Sequence, residues 1–212
     1  MKNKKKLKKI ISNLACVVIG YSMYPVVQQQ VDYKEARQYY EQYREERNKY
    51  SNWITISNTK IDYPIAYGKG NDYYLYNDIE NNPTTSGSIF FEESQQPYDN
   101  TSTIIYGHSM KDGSMFNNLH KLKQNHDLFK NSLLTLRHND TTKEYKPLGI
   151  YVTNDDWFYK DLDNMTIKDA VKLIQERCDY SLDVEIDEDS HIITLYTCEY
   201  TEAGNRLLVF YI

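Results

Sequence analysis

With 212 residues, 40% of them hydrophobic, and only 8 glycines and 5 prolines, the chain can bury one sizeable core, and a single globular domain is the expected organisation. The formal charge of -5 hides an asymmetry: residues 1–9 hold six lysines and no acid, so the rest of the chain carries 19 basic against 30 acidic side chains. A nucleic-acid binder needs its basic footprint on the folded part, and this distribution argues against that class.

Residues 10–27, IISNLACVVIGYSMYPVV, contain no charged side chain and lie at the lower edge of the length that spans a bilayer as a helix. The basic flank orients such a segment with its N-terminus in the cytoplasm and the remainder outside. No convincing small-residue cleavage site follows, so an uncleaved anchor is expected rather than a cleaved signal peptide. A helical extension is assigned to residues 28–52. Tyr33, Ala36, Tyr40, Tyr43 and Tyr50 recur there near helical spacing, which suits either a face laid on the domain or a solvated stalk.

Residues 53–212 read as the folded domain. Trp53, Ile54 and Ile56, then Ile61, Tyr63 and Ile65, suggest two short strands, and Pro64 implies that the second is an edge strand or carries a bulge. GSIFF at 87–91 and TIIYG at 103–107 are buried-strand candidates. Met115, Phe116, Leu119 and Leu122, followed by Leu128 and Phe129, predict a short helix and a second helical turn. Residues 133–138 and 144–153 flank a polar turn as a hairpin. Ile167, Val171, Ile174 and Cys178 share one face of an amphipathic helix, with Asp163, Asn164 or Thr166 available as its N-cap. The final pair, 191–198 and 206–212, are antiparallel strands joined by a short loop containing Gly204. About eight strands and two or three helices favour a mostly antiparallel closed barrel.

The final strand pair places the thiol of Cys198 at one strand end and the guanidinium of Arg206 at the start of the next. A nucleophile beside a fixed cationic donor suits acyl transfer, provided a base is near. His108 is the best base candidate, because it ends an apolar strand and precedes the polar SMKDGS loop. The plainer readings are a packed cysteine, a surface histidine and a solvated arginine. His120 and His126 fall in a lysine-rich helical segment, His138 adjoins a turn and His191 begins a strand, and all four rank lower. Arg137 and Arg177 are weaker rivals of Arg206. Cys178 completes a helix stripe and is read as core; a bond from it to Cys198 would leave the latter inert. No metal or cofactor is expected. The histidines lack zinc spacing, DVEIDED at 183–189 lacks the glycine and final glutamate of a calcium loop, and GKGN at 68–71 is too short for a phosphate loop.

TLYTC at 194–198 with Arg206 eight residues past the cysteine, TIIYGHSMKDGSMF at 103–116, WITISNTKIDYPI at 53–65 and NDYYLYNDI at 71–79 resemble the sortases, membrane-anchored cysteine transpeptidases of Gram-positive bacteria, and class B in particular. The resemblance covers roughly residues 31–212. It implies a closed eight-stranded β-barrel with an N-terminal helical extension and an extra helix before the cysteine strand. It also implies a catalytic set of Cys198, His108 and Arg206. The reaction so implied is cleavage of a sorting pentapeptide after Thr, through a thioacyl-enzyme resolved by a peptidoglycan amine. Tyr200 stands where some members carry an Asp, and Glu199 is the nearer carboxylate. The alternative reading from a different class is a membrane-anchored wall-binding or structural domain in which Cys198 is merely packed.

Overall fold

The structure, a computed structural model, describes residues 40–98, 100–154, 158–187, 189–199 and 204–212. The basic tail, the apolar segment at 10–27, and Tyr33 and Ala36 of the extension lie outside the described residues. No helix among the described residues is long and apolar enough to cross a membrane. All of them belong to one unit, Tyr40–Ile212.

The chain enters this unit through a helical stretch at 40–45 (α1) and a 3-10 turn at Arg47–Lys49. Tyr40, Tyr43 and Tyr50 are buried, as a domain-facing side requires, and form an edge-to-face series in which Tyr40 also meets Tyr63 at 5.0 Å. Tyr43 donates to Asp78 at 2.9 Å, which satisfies a hydroxyl that burial would otherwise penalise.

Ten strands follow: β1 (Asn52–Ile56), β2 (Asp62–Ala66), β3 (Ile89–Phe91), β4 (Ser102–Tyr106), β5 (Leu134–His138), β6 (Thr141–Tyr145), β7 (Pro147–Thr153), β8 (Tyr180–Ser181), β9 (Ile192–Cys198) and β10 (Arg206–Tyr211). They form one sheet in the order β6-β5-β1-β2-β3-β4-β9-β10-β7-β8. The sheet curls through 256° and its edges stand 14 Å apart, so the expected closed eight-stranded barrel is corrected to a ten-stranded open half-barrel. The cause lies in β7. It pairs with β10 on one edge and with the two-residue β8 on the other, so among the described residues β6 has no partner across the gap. Four of the five residues of β6 are exposed, as befits an unpaired edge.

Two local expectations also need correction. Residues 144–153 are not one hairpin arm: the first ladder ends where Tyr145 pairs with Leu134, and a new strand starts at Pro147 against Tyr211. Between them, Lys146 and Ile212 exchange backbone hydrogen bonds of 2.6 and 2.8 Å. Pro64 does not mark an edge, because β2 lies between β1 and β3. It is the last position of the β1 ladder and precedes the first of the β3 ladder, where a missing N–H costs least.

The helices follow the apolar spacing. Leu119–Gln124 (α3) and His126–Lys130 (α4), after the four-residue α2 (Asn71–Tyr74), are separated at Asn125, whose side chain accepts from Leu128 N at 3.0 Å. The long helix α5 (Ile167–Arg177) is capped by Thr166 rather than by Asp163, and buries Ala170, Val171 and Ile174. Asp163 instead accepts from Ser102 N and Oγ, both at 2.9 Å, and so pins the α5 approach to the start of β4. One apolar cluster joins α5, Phe158, Tyr159 and Leu162 to Ile104, Ile192, Leu208 and Phe210 of the sheet, the strands that lead to the cysteine.

Candidate active site

Strand β9 carries Cys198 at its C-terminal end and is flanked by two ladders that differ in sense. On one side it runs parallel to β4, with Tyr106 opposite Tyr196. Beyond the ladder the pairing persists: Gly107 N donates to Tyr196 O at 3.2 Å, and Thr197 Oγ1 donates to Gly107 O at 2.7 Å. His108 follows Gly107 directly, past the last ladder pair, at the same end of the sheet as Cys198. On the other side β9 is antiparallel to β10, and Arg206 is the direct partner of Cys198. Arg206 is thus paired with the cysteine directly, while on the other side of β9 the strand β4 ends two residues before His108.

Cys198 is a half-buried free thiol, while Thr197 before it is buried. Cys178 is also free, so the two do not bond, and burial pushes its thiol up strongly, with Asp179 adding to the effect. That thiol packs under Gly149, where a methyl group would meet its Sγ at 2.8 Å. A thiol so placed is held neutral and inert.

The half-buried ring of His108 is oriented by Leu75, whose carbonyl lies 2.9 Å from Nε2. A carbonyl only accepts, so Nε2 carries the proton and Nδ1 of the neutral ring keeps the lone pair. Arg206 Nη1 donates to Gly204 O and Asn205 O at 2.8 and 3.0 Å, which folds the guanidinium back over its own loop. Gly204 allows this with φ of +90°. Glu199 N closes the loop on Asn205 O at 3.0 Å, and Tyr200 lies outside the described residues.

Aromatic rings surround this end of the sheet. Tyr196 lies 5.0 Å from Tyr106 and 5.5 Å from Tyr159 between ring centroids. Burial raises the Tyr196 hydroxyl, and the charge and hydrogen bond of Arg206 oppose that rise. Tyr106 also stacks on Phe90 and donates to Glu92 at 2.6 Å. Burial works to raise the Glu92 carboxyl, but hydrogen bonds from Tyr106, Asn71 and Ser94 N prevail and hold it below the usual carboxylate range.

The remaining candidates occupy other places. His126 stacks on Tyr180, His138 meets Asn52 Oδ1, and His191 meets Thr103 Oγ1. Arg137 donates to the carbonyls of Arg47 and Tyr50, tying the 3-10 turn to the sheet. His120, ranked low on sequence, is the residue that reasoning from the sequence missed: its Nε2 lies 3.1 Å from the carbonyl of Cys198. The signal was faint. Leu119 and Leu122 are both fully buried, and this fixes His120 and Lys123 one step around the same short helix, against the polar Glu199 that follows the cysteine.

A family profile described as a sortase domain matches residues 54–211. The chain is 34% identical to sortase B of Listeria monocytogenes over 151 residues, covering 69% of this chain and 61% of that protein. It is 29% identical to sortase B of Staphylococcus aureus over 165 residues, 74% and 67% of the respective lengths. The chain thus spans about three fifths of the length of the Listeria protein it matches. Among solved structures, sortase B of Listeria monocytogenes superposes with a TM-score of 0.66 at 31% identity, over 76% of this chain and 93% of that one. Sortase B of Bacillus anthracis gives 0.70 at 27% identity, over 85% and 97%.

Proposed function

The chain belongs to the sortase family, and from that membership, the class B character of its relatives and the geometry at Cys198 we propose that it is a cysteine transpeptidase acting on a sorting signal. The observation that supports the reading is the pairing of Arg206 with Cys198 across β10 and β9, with β4 ending beside β9 two residues before His108. Cys198 Sγ attacks the carbonyl carbon that follows the substrate Thr side chain, while its proton passes to Nδ1 of His108. Arg206 directs its donors at the oxygen that becomes negative in the tetrahedral intermediate. Collapse breaks the C–N bond, and the His108 imidazolium gives its proton to the leaving amine. The thioester carbonyl is then attacked by an acceptor amine, which surrenders a proton to His108 as Cys198 leaves.

The substrate so proposed is a pentapeptide of the Asn-Pro-x-Thr-Asn type on a surface protein, and the acceptor is an amine of a peptidoglycan precursor or cross-bridge. Residues 1–9 and 10–27 serve as cytoplasmic tail and membrane anchor, which places the site outside the cell. Incubating the full chain with a fluorogenic panel of sorting peptides, with and without an amine nucleophile, tests the assignment. Cys198→Ala abolishes turnover, and added amine diverts product from free acid to the new amide. Equal turnover by the variant rejects the nucleophile, and a product indifferent to amine makes the enzyme a hydrolase instead.

A further inference from the structure

Beneath the proposed active site lies a buried polar cluster that takes no part in the proposed proton transfers. Helix α3 presents His120 and Lys123 to the end of β9. His120 Nε2 is 3.1 Å from Cys198 O and 3.0 Å from Ser109 Oγ, and Ser109 is the residue after His108. Its other nitrogen, Nδ1, stands 3.4 Å from Glu199 Oε2, and the same oxygen receives Lys123 Nζ at 2.8 Å. The Glu199 side chain is 2% exposed and that of His120 13%. A carboxylate so placed is tolerated only with its cation paired, and Lys123 supplies that pair.

Because the Cys198 carbonyl can only accept, His120 Nε2 carries a proton and donates it there, sharing it with the Ser109 hydroxyl. Asn117 Nδ2 completes that hydroxyl's surroundings at 3.4 Å. One ring nitrogen thus bridges the turn after His108 and the backbone of Cys198. The two segments follow neighbouring parallel strands whose last ladder pair is Tyr106 and Tyr196; β9 is held at Cys198 by Arg206 of β10, and past Gly107 no ladder pair joins the turn to β9. Met115 pairs with Ser109 in an isolated bridge, which limits the turn's drift but does not reach β9.

We propose that His120 is a positioning residue of the reaction, one that sets the separation of His108 from Cys198 by binding Ser109 and the Cys198 carbonyl at once. The Lys123–Glu199 ion pair lies beside the ring's other nitrogen. The proposal rests on the assignment of Cys198 and His108 made above. A misplacement of about 1 Å between reacting groups costs on the order of 100-fold in rate, so loss of the bridge acts on turnover more than on substrate affinity.

The test uses His120→Phe, which keeps a ring of similar size without nitrogens, and His120→Gln, whose amide can still donate to the carbonyl. Three quantities are read in the full chain: kcat, KM, and the pH profile of iodoacetamide alkylation at Cys198, resolved from Cys178 by mass spectrometry. His120→Phe is expected to lower kcat by about 10- to 100-fold with KM within about twofold, and to displace the alkylation profile. His120→Gln restores most of both. A His120→Phe protein with kcat within about threefold of the parent and an unmoved alkylation profile overturns the proposal. So does a loss of kcat that His120→Gln shares in full while the profile stays put, since that is a packing defect alone. Cys198→Ala is assayed in parallel. Retained activity there rejects the nucleophile itself, whereas an inactive Cys198→Ala beside an unaltered His120→Phe rejects only the role of His120.

Discussion

At the scale of single residues, the proposed site works by limiting what each group can do. The Leu75 carbonyl uses up Nε2–H of His108 and leaves Nδ1 as the only basic nitrogen, the service a buried carboxylate gives in other hydrolytic sites. Arg206 is restrained by two carbonyls of its own loop, so the fork meets the substrate already oriented. Replacing it by Ala should lower kcat/KM by about 100- to 1000-fold, the cost of removing an oxyanion donor. Arg206→Lys keeps the charge but loses the planar fork, of which Nη1 alone is spent on the loop carbonyls, and should regain less than about tenfold of that loss. Steady-state kinetics on a sorting peptide decide the role: a fall confined to kcat marks a transition-state contact, and a rise confined to KM marks a substrate-binding one.

At the scale of elements, α5 and β7 are fitted to each other through the absence of a side chain. A Cβ at Gly149 would meet Cys178 Sγ at 2.8 Å and Ile174 Cγ2 at 3.2 Å. Gly149→Ala should therefore destabilise the protein by about 1–3 kcal/mol, as overpacking does. In a Cys178→Ala background the same change should cost markedly less, a coupling readable from denaturant midpoints of the four proteins. The α5 stripe of Val171, Ile174 and Cys178 was legible from spacing alone, as were the buried strands Ile89–Phe91 and Ser102–Tyr106, because burial of a whole face imposes a period. The break at Lys146 was not legible: Glu144 to Thr153 reads as continuous strand, and only the demand of two different partner strands divides it. Closure was misjudged for a related reason, since the partner of an edge strand is a long-range fact and β8 has two residues to announce it. His120 escaped for the same cause, its partners Ser109 and Cys198 lying 11 and 78 positions away.

At the scale of the whole molecule, the histidines and carboxyls whose values the fold displaces act in one direction as pH falls from 8 to 4. Burial holds the imidazole of His191 below its ordinary value of 6.5, with a push from Lys143, against a hydrogen bond donated to the Asn100 backbone and the charge of Asp163. His120 is lowered by burial too, with Lys123 adding to the effect and Glu199 opposing it. Glu80 is held below 4.5 by hydrogen bonds from Lys49 and Tyr50 against its own desolvation, and Glu92 by the bonds described above. In each case the folded chain binds fewer protons than the unfolded chain across the window between the two pKa values, so stability rises with pH there. Stability should be level near pH 8, fall in a first stage as pH drops through about 6.5 and the histidines charge in the unfolded chain, and fall again below about 4.5. Denaturant midpoints at intervals from pH 8 to pH 4 measure both stages. His191→Gln should shallow the first stage and leave the second, whereas Glu92→Gln should do the reverse. A protein that grew more stable between pH 7 and pH 5.5 would require a histidine held above its ordinary value in the folded state, the opposite of what the burial of His120 and His191 imposes.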